Sequence, residues 1–205
     1  MQVIGDGMDF MYDYGRGLYF NLTNRCPCSC TFCVRSKVDA LGSAENLWLD
    51  SEPTVKEVIT AIKTVDLNTY DEVVFCGYGE PMERVEDLIK IADYIKSVSD
   101  IPVRINTNGL GDLIHQKDTV SLLKGHIDAI SISLNAPSNE RYQEVSQPVF
   151  GEKAYPAMLE FTKKATRIFS DVTMSVVDVI SEEEIAECRE IARNLGVKFK
   201  VRGCY

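Results

Sequence analysis

The sequence holds only two histidines, His115 and His126, and neither neighbours a cysteine pair. A zinc site drawing on a second knuckle is therefore not evident. The chain also lacks a basic excess: 31 acidic side chains stand against 22 basic ones, for a net charge of −9. A general nucleic-acid binder would carry a basic face instead. A small anionic ligand stays open, because local charge can oppose net charge. No signal-peptide pattern and no apolar run of membrane-spanning length is evident. Internal repeats, low-complexity tracts and long linkers are missing too. The seven cysteines are an odd number with four of them clustered, which suits a reducing cytoplasm better than a disulfide scaffold. With 205 residues, 45% of them hydrophobic, the expectation is a single cytoplasmic domain over 1–205, off the membrane.

What is present starts with the cysteines. Cys26, Cys30 and Cys33 are spaced C-x3-C-x2-C on a loop, about 24–35, directly after an apolar strand near 17–22. Three thiolates on so short a loop can hold three corners of a cubane iron–sulfur cluster. The fourth iron then has no protein ligand. Cys28 is an extra thiol inside the loop. Half of a zinc site or a disulfide pair are the competing readings.

Strands alternate with helices through the rest of the chain. Strands are expected near 72–76, 102–106, 127–134, 172–178 and 197–202, and an irregular stretch near 36–50. Thr54 with Glu57 reads as a capping box, followed by Val55, Val58, Ile59 and Ile62 at helical spacing. Further helices are expected over 85–95, 118–124, 154–168 and 181–195. Strands joined by helical crossovers make a parallel α/β sheet. Right-handed crossovers curl it into a partial (βα)6 barrel, open on one side, with its chemistry at the carboxyl ends of the strands.

The polar motifs fall at those ends. Gly77, Gly79 and Glu80 follow the second strand, with Pro81 able to open a helix. Asn106, Thr107, Asn108 and Gly109 close the third. Ser131, Ser133 and Asn135 share one face of the fourth by period two. Asp178 ends the fifth, where Val176 or Val177 could flank a ring with Phe32. Arg202 and Cys204 end the sixth. Cys188 falls on the apolar face of a helix and reads as core, as does Cys76, which ends a buried strand near the site.

This pattern resembles the radical SAM (S-adenosylmethionine) superfamily over about 17–178. The stretches 21–28, 105–110 and 131–137 are worded like the subgroup associated with TatD-type nucleases. The resemblance implies a [4Fe–4S] cluster on Cys26, Cys30 and Cys33, with the aromatic Phe32 before the third cysteine, and no auxiliary-cluster domain. It implies that SAM chelates the open iron. One electron then cleaves SAM to a 5′-deoxyadenosyl radical that abstracts hydrogen from a substrate. By resemblance, Gly77, Gly79 and Glu80 meet the amino group, Asn106, Thr107 and Asn108 the ribose or carboxylate, and Ser133 and Asn135 the carboxylate and ribose. Val177 and Phe32 would sandwich the adenine.

The substrate is open: a small molecule, a nucleotide or a protein, with flavodoxin or ferredoxin as electron donor. Arg35, Lys37, Tyr78, Arg104, Tyr142, Asp178 and Arg202 are candidate contacts. A glycyl-radical activase is an alternative within the family; an iron–sulfur electron carrier or a zinc module lies outside it. No helix follows the sixth strand, so an opening is expected beside Arg202, covered by a dimer partner, a protein substrate or a large ligand. Arg104 and Arg202 would give it a basic lining suited to an anionic or peptide-backbone substrate.

Overall fold

Each strand-forming run pairs with the next one along the chain. In the computed structural model, which describes residues 10–204, the result is one seven-stranded sheet in chain order. Its strands are β1 Met11–Tyr14, β2 Gly17–Phe20, β3 Glu72–Phe75, β4 Val103–Thr107, β5 Ala129–Ser133, β6 Asp171–Val177 and β7 Lys198–Arg202. All neighbours from β2 to β7 are parallel. β1 is the addition to the six expected strands: it turns back on β2 as an antiparallel hairpin. Gly15, at φ 60°, makes the turn between them.

The helices are α1 Val55–Ile62, α2 Val85–Val98, α3 Gly111–His115, α4 Thr119–Leu122, α5 Asn139–Ser146, α6 Ala154–Thr166 and α7 Glu182–Asn194. The capping box at α1 forms as read: Thr54 Oγ1 accepts from Glu57 N at 3.2 Å, and Glu57 Oε2 accepts from Thr54 N at 2.7 Å. No helix among the described residues is long and apolar enough to cross a membrane.

The sheet's two faces differ in chemistry. Leu18, Phe20, Val73, Phe75, Val103, Ile105, Ile130, Ile132, Met174 and Val176 are buried on one face. They share a single core with Leu88 and Ile91 of α2 and Met158 and Phe161 of α6. Fully burying such a side chain contributes about 1.5–3 kcal/mol. The alternate positions, among them Arg104, Asn106, Ser131, Ser133, Thr173 and Arg202, line a cavity of about 1100 Å³. Period two along each strand is what separates core from cavity.

Helices α3 and α5 were not expected. α5 is polar, and only Tyr142, Val145 and Ser146 are buried on it. Its importance is positional. The carbonyl of Ser146 accepts from Ser29 N at 3.2 Å and that of Val145 from Thr31 N at 2.9 Å, so its last turn holds the cysteine loop. Pro27 O accepts from Val149 N at 2.8 Å just beyond. Ser138 caps the helix, accepting from Arg141 N at 3.2 Å. Ser138→Ala should cost about 1 kcal/mol, while Ser138→Asp keeps the cap. Urea unfolding of both variants checks this, and equal losses would count against the cap.

Candidate functional site

The cysteine loop begins where β2 ends. Asn21 and Asn24 anchor the chain before and after it turns. Asn21 Nδ2 donates to Leu47 O at 2.6 Å. Asn24 both donates to Leu49 O at 2.8 Å and accepts from Leu49 N at 3.1 Å. These clamps fix the irregular stretch over the site. Tyr78 helps: its hydroxyl donates to Val38 O, and its ring packs on Trp48 at 5.2 Å between centroids. Tyr78 is therefore largely a structural anchor with one edge on the cavity.

Gly77 and Gly79 need to be glycine because of this loop. A Cβ on Gly79 would lie 2.0 Å from Thr23 O, and one on Gly77 would lie 2.1 Å from Asn21 Oδ1. The close approach is to the chain's own segment leading into the cysteine loop, and both glycines also line the cavity.

Glu80 ties the strand ends together. Its N–H donates to Arg25 O at 2.8 Å. Its Oε1 accepts from Thr107 Oγ1 at 2.7 Å and Met82 N at 3.0 Å. Its Oε2 accepts from Asn108 N at 2.7 Å and keeps a lone pair. The carboxyl is only 4% exposed. Burial pushes it up to about 7, against the pull of the Asn108, Thr107 and Met82 donors.

Cys26, Cys28, Cys30 and Cys33 all line the cavity. Asn108 Nδ2 lies 3.8 Å from Cys28 Sγ and 4.0 Å from Cys26 Sγ. Cys28 is the most buried of the four and sits between its neighbours. Hydrogen bonds with Cys26 and Cys30 push its thiol up. The same bonds pull Cys26 and Cys30 down, against burial. Burial raises Cys33. Ser146 approaches Cys30 from α5, and the sequence reading missed it. Only its place in the fold, at the end of an unremarkable polar helix, makes it relevant.

Among the described residues no three Cys, His, Asp or Glu side chains are gathered as one metal ion would need. Tetrahedral zinc at about 2.3 Å from each sulfur holds its ligands closer than the larger body of a cubane does. The remaining expected residues, Phe32, Asn106, Ser133, Asn135 and Val177, line the same cavity. Val176 lies on the core face instead. Asn135 has φ 61°, a left-handed conformation uncommon for a non-glycine residue. Its Oδ1 is buried without a hydrogen-bond partner, while Nδ2 donates to Ser146 Oγ at 3.3 Å. A buried unpaired acceptor of this kind costs about 1–3 kcal/mol unless a ligand hydroxyl or amine satisfies it. The donor and acceptor set thus fits a nucleoside-bearing ligand beside a thiolate-bound cluster.

Other candidates separate. Arg104 and Arg202 face the cavity. Arg35 donates to Cys28 O at 3.2 Å and supports the loop. Tyr142 is fully buried beneath the loop, its hydroxyl beside Cys28. Asp178 accepts from Cys204 N at 2.6 Å at the sheet edge, and Lys37 lies exposed outside the cavity lining. Cys188 is core, and His115 Nε2 meets Met82 O at 2.7 Å, a structural contact. Cys76 borders the cavity, near the site as its place at a strand end suggested.

Glu80 makes stability depend on pH. Its folded value of about 7 lies above the ordinary 4.5, so between the two the folded chain binds more protons than the unfolded one. Stability due to this group therefore falls as pH rises through that window. At about 1.4 kcal/mol per pH unit the loss is on the order of 3 kcal/mol. Urea unfolding of the cluster-free protein from pH 4.5 to 7.5 should show it, and Glu80→Gln should lose that part of the slope. Parallel profiles would contradict the assignment.

The radical SAM superfamily model matches residues 20–195. Over 145 residues the chain is 32% identical to GTPase Obg of Brachyspira hyodysenteriae, covering 67% of this chain and 20% of that protein. Over 132 residues it is 29% identical to GTP 3′,8-cyclase of Rhodococcus opacus, covering 64% of this chain and 35% of the relative. The chain thus spans about a third or less of these two relatives. A radical SAM methyltransferase from Sphaerobacter thermophilus superposes with a TM-score of 0.65 at 14% identity, covering 94% of this chain and 68% of the other. Native anSMEcpe with bound AdoMet superposes at 0.62 and 14% identity, covering 91% and 50%. These structures share the partial-barrel fold. With the family model spanning most of its length, the chain belongs to the radical SAM superfamily, enzymes whose cofactors are a [4Fe–4S] cluster and SAM.

Proposed function

We propose that Cys26, Cys30 and Cys33 hold the cluster and that the strand-end residues hold SAM against its open iron. The observation that carries this reading is convergence: the cysteine loop, the turns after β3 and β4, the end of β5 with Asn135, and Val177 at the end of β6 all line one cavity. Held by these three thiolates and reduced by a donor such as flavodoxin or ferredoxin, a [4Fe–4S] cluster would supply the one electron for reductive cleavage of SAM to methionine and a 5′-deoxyadenosyl group for hydrogen abstraction.

The chain's own residues orient and shield. The spare lone pair of Glu80 Oε2 accepts from the SAM amino group. The Ser133 hydroxyl and the Asn108 amide donate to its carboxylate. The unpaired Asn135 Oδ1 accepts from a ribose hydroxyl, and Asn106 and Thr107 border the same region. Gly77 and Gly79 keep the turn tight enough for Glu80 to reach in. Phe32 and Val177 offer apolar surface to adenine. Cys28 stays a packed thiol. The 36–50 stretch, held by Asn21, Asn24 and Tyr78, shelters the site from water and oxygen.

Anaerobic reconstitution of single alanine variants, read as iron and sulfide per chain, tests the ligand set. Cys28→Ala should keep a full complement, whereas Cys26→Ala, Cys30→Ala and Cys33→Ala should each lose most of it. Dithionite-reduced wild type should also release 5′-deoxyadenosine, seen by chromatography. Cluster loss on Cys28→Ala with retention on Cys30→Ala would overturn the set. A full cluster that releases no deoxyadenosine would overturn the function.

A further inference from the structure

The cavity's charges do not cancel. Three of its cations have carboxylate partners. Arg16 pairs with Asp71, Arg104 with both oxygens of Glu72 at 2.6 and 2.8 Å, and Lys198 with Asp171 at 3.0 Å. Glu80 is taken up by backbone and threonine donors. Lys200 and Arg202 remain, and neither has an ion-pair partner among the described residues. They stand two apart on β7, so their side chains leave the same face.

Arg202 is only partly engaged. One terminal nitrogen, Nη2, donates to Ser133 Oγ at 3.3 Å, while Nε is buried with no acceptor. A guanidinium edge with an unused N–H suits an oxyanion, which it can grip through two parallel hydrogen bonds. Lys200 lies in one register row with Ser175 of β6 and Ser133 of β5, two register positions below the row of Arg202 and Val177. Two uncompensated cations and the Ser133 hydroxyl therefore gather on one wall of the cavity of an otherwise acidic protein.

We infer that Arg202 and Lys200 form an oxyanion subsite that takes a phosphate or carboxylate group of the substrate. It rests on the radical SAM reading of the cavity, in which the SAM carboxylate is met by Ser133 and Asn108. The inference narrows the substrate class: it carries an anionic group whose position sets the hydrogen to be abstracted. A neutral apolar substrate would offer no acceptor to the unused N–H of the half-buried Arg202, and none to the exposed Lys200 beside it.

Calorimetric titration of the anaerobically reconstituted protein tests this, with SAM at saturation and again without it. The probes are inorganic phosphate and succinate, so the phosphate and carboxylate arms are separate. At least one should bind with SAM present. Arg202→Gln should weaken that binding roughly tenfold or more, the usual size of a lost charge-assisted bond. Lys200→Gln should weaken it severalfold, and Lys198→Gln, whose charge is already paired, less than about twofold. A readout on SAM keeps the two readings apart. If Arg202→Gln retains its iron but no longer binds SAM, Arg202 serves the cofactor and the inference fails while the radical SAM reading stands. If the wild type binds neither probe below about 10 mM, the inference also fails. If the wild type with a full cluster does not bind SAM, the cofactor reading fails, and the SAM-free titrations decide the oxyanion site alone.

Discussion

The loop after β2 and the turns after β3 and β4 meet at Glu80. Its N–H reaches the cysteine loop through Arg25, and its carboxylate gathers Met82, Thr107 and Asn108. One residue thus ties the three segments together: its backbone N–H meets the loop after β2, and its side chain holds the turn after β3 to the turn after β4. Removing it would strand several buried donors at once, each costing about 1–3 kcal/mol. Its burial also leaves it poised near neutrality, so that a donor placed against Oε2 shifts its charge. The two close glycines before it belong to the same constraint, since any larger residue would push the β3 turn off the cysteine loop.

Around this knot the sheet divides its labour by parity. One face packs the core against α2 and α6, and the alternate face leaves a polar cavity. The second face carries serines, an asparagine and charged residues in the middle of a parallel sheet, where an open sheet covered on both sides would be apolar. The stability supplied by the packed face supports these polar groups, including the left-handed Asn135 and the incompletely bonded Arg202. The helix α5 then closes the frame, since its last carbonyls receive the amides of the cysteine loop.

Much of this was legible in the sequence. The C-x3-C-x2-C spacing, the strand–helix alternation and the placement of polar motifs after strands are constrained by chemistry at short range, and all three reappear in the fold. β1, α3 and α5 were not legible because they are short or lack an apolar stripe. The roles of Asn21, Asn24 and Tyr78 were hidden for another reason: each is fixed by a partner 25 or more residues away. Gly77 and Gly79 were read as points of close backbone approach, but their contact with Asn21 and Thr23, more than 50 residues away, was hidden for the same reason. The likeness to the TatD-nuclease-associated subgroup rests on three stretches of sequence alone.

Amide hydrogen exchange on the cluster-free protein tests most directly whether Glu80 assembles the site before any cofactor arrives. The N–H groups of Glu80, Met82 and Asn108 should exchange slowly and at similar rates, as one cooperative unit. In Glu80→Ala all three should lose protection together while the amides of β5 and β6 keep theirs. Rapid and unrelated exchange of these amides in the wild type, or protection unchanged in the variant, would contradict the account.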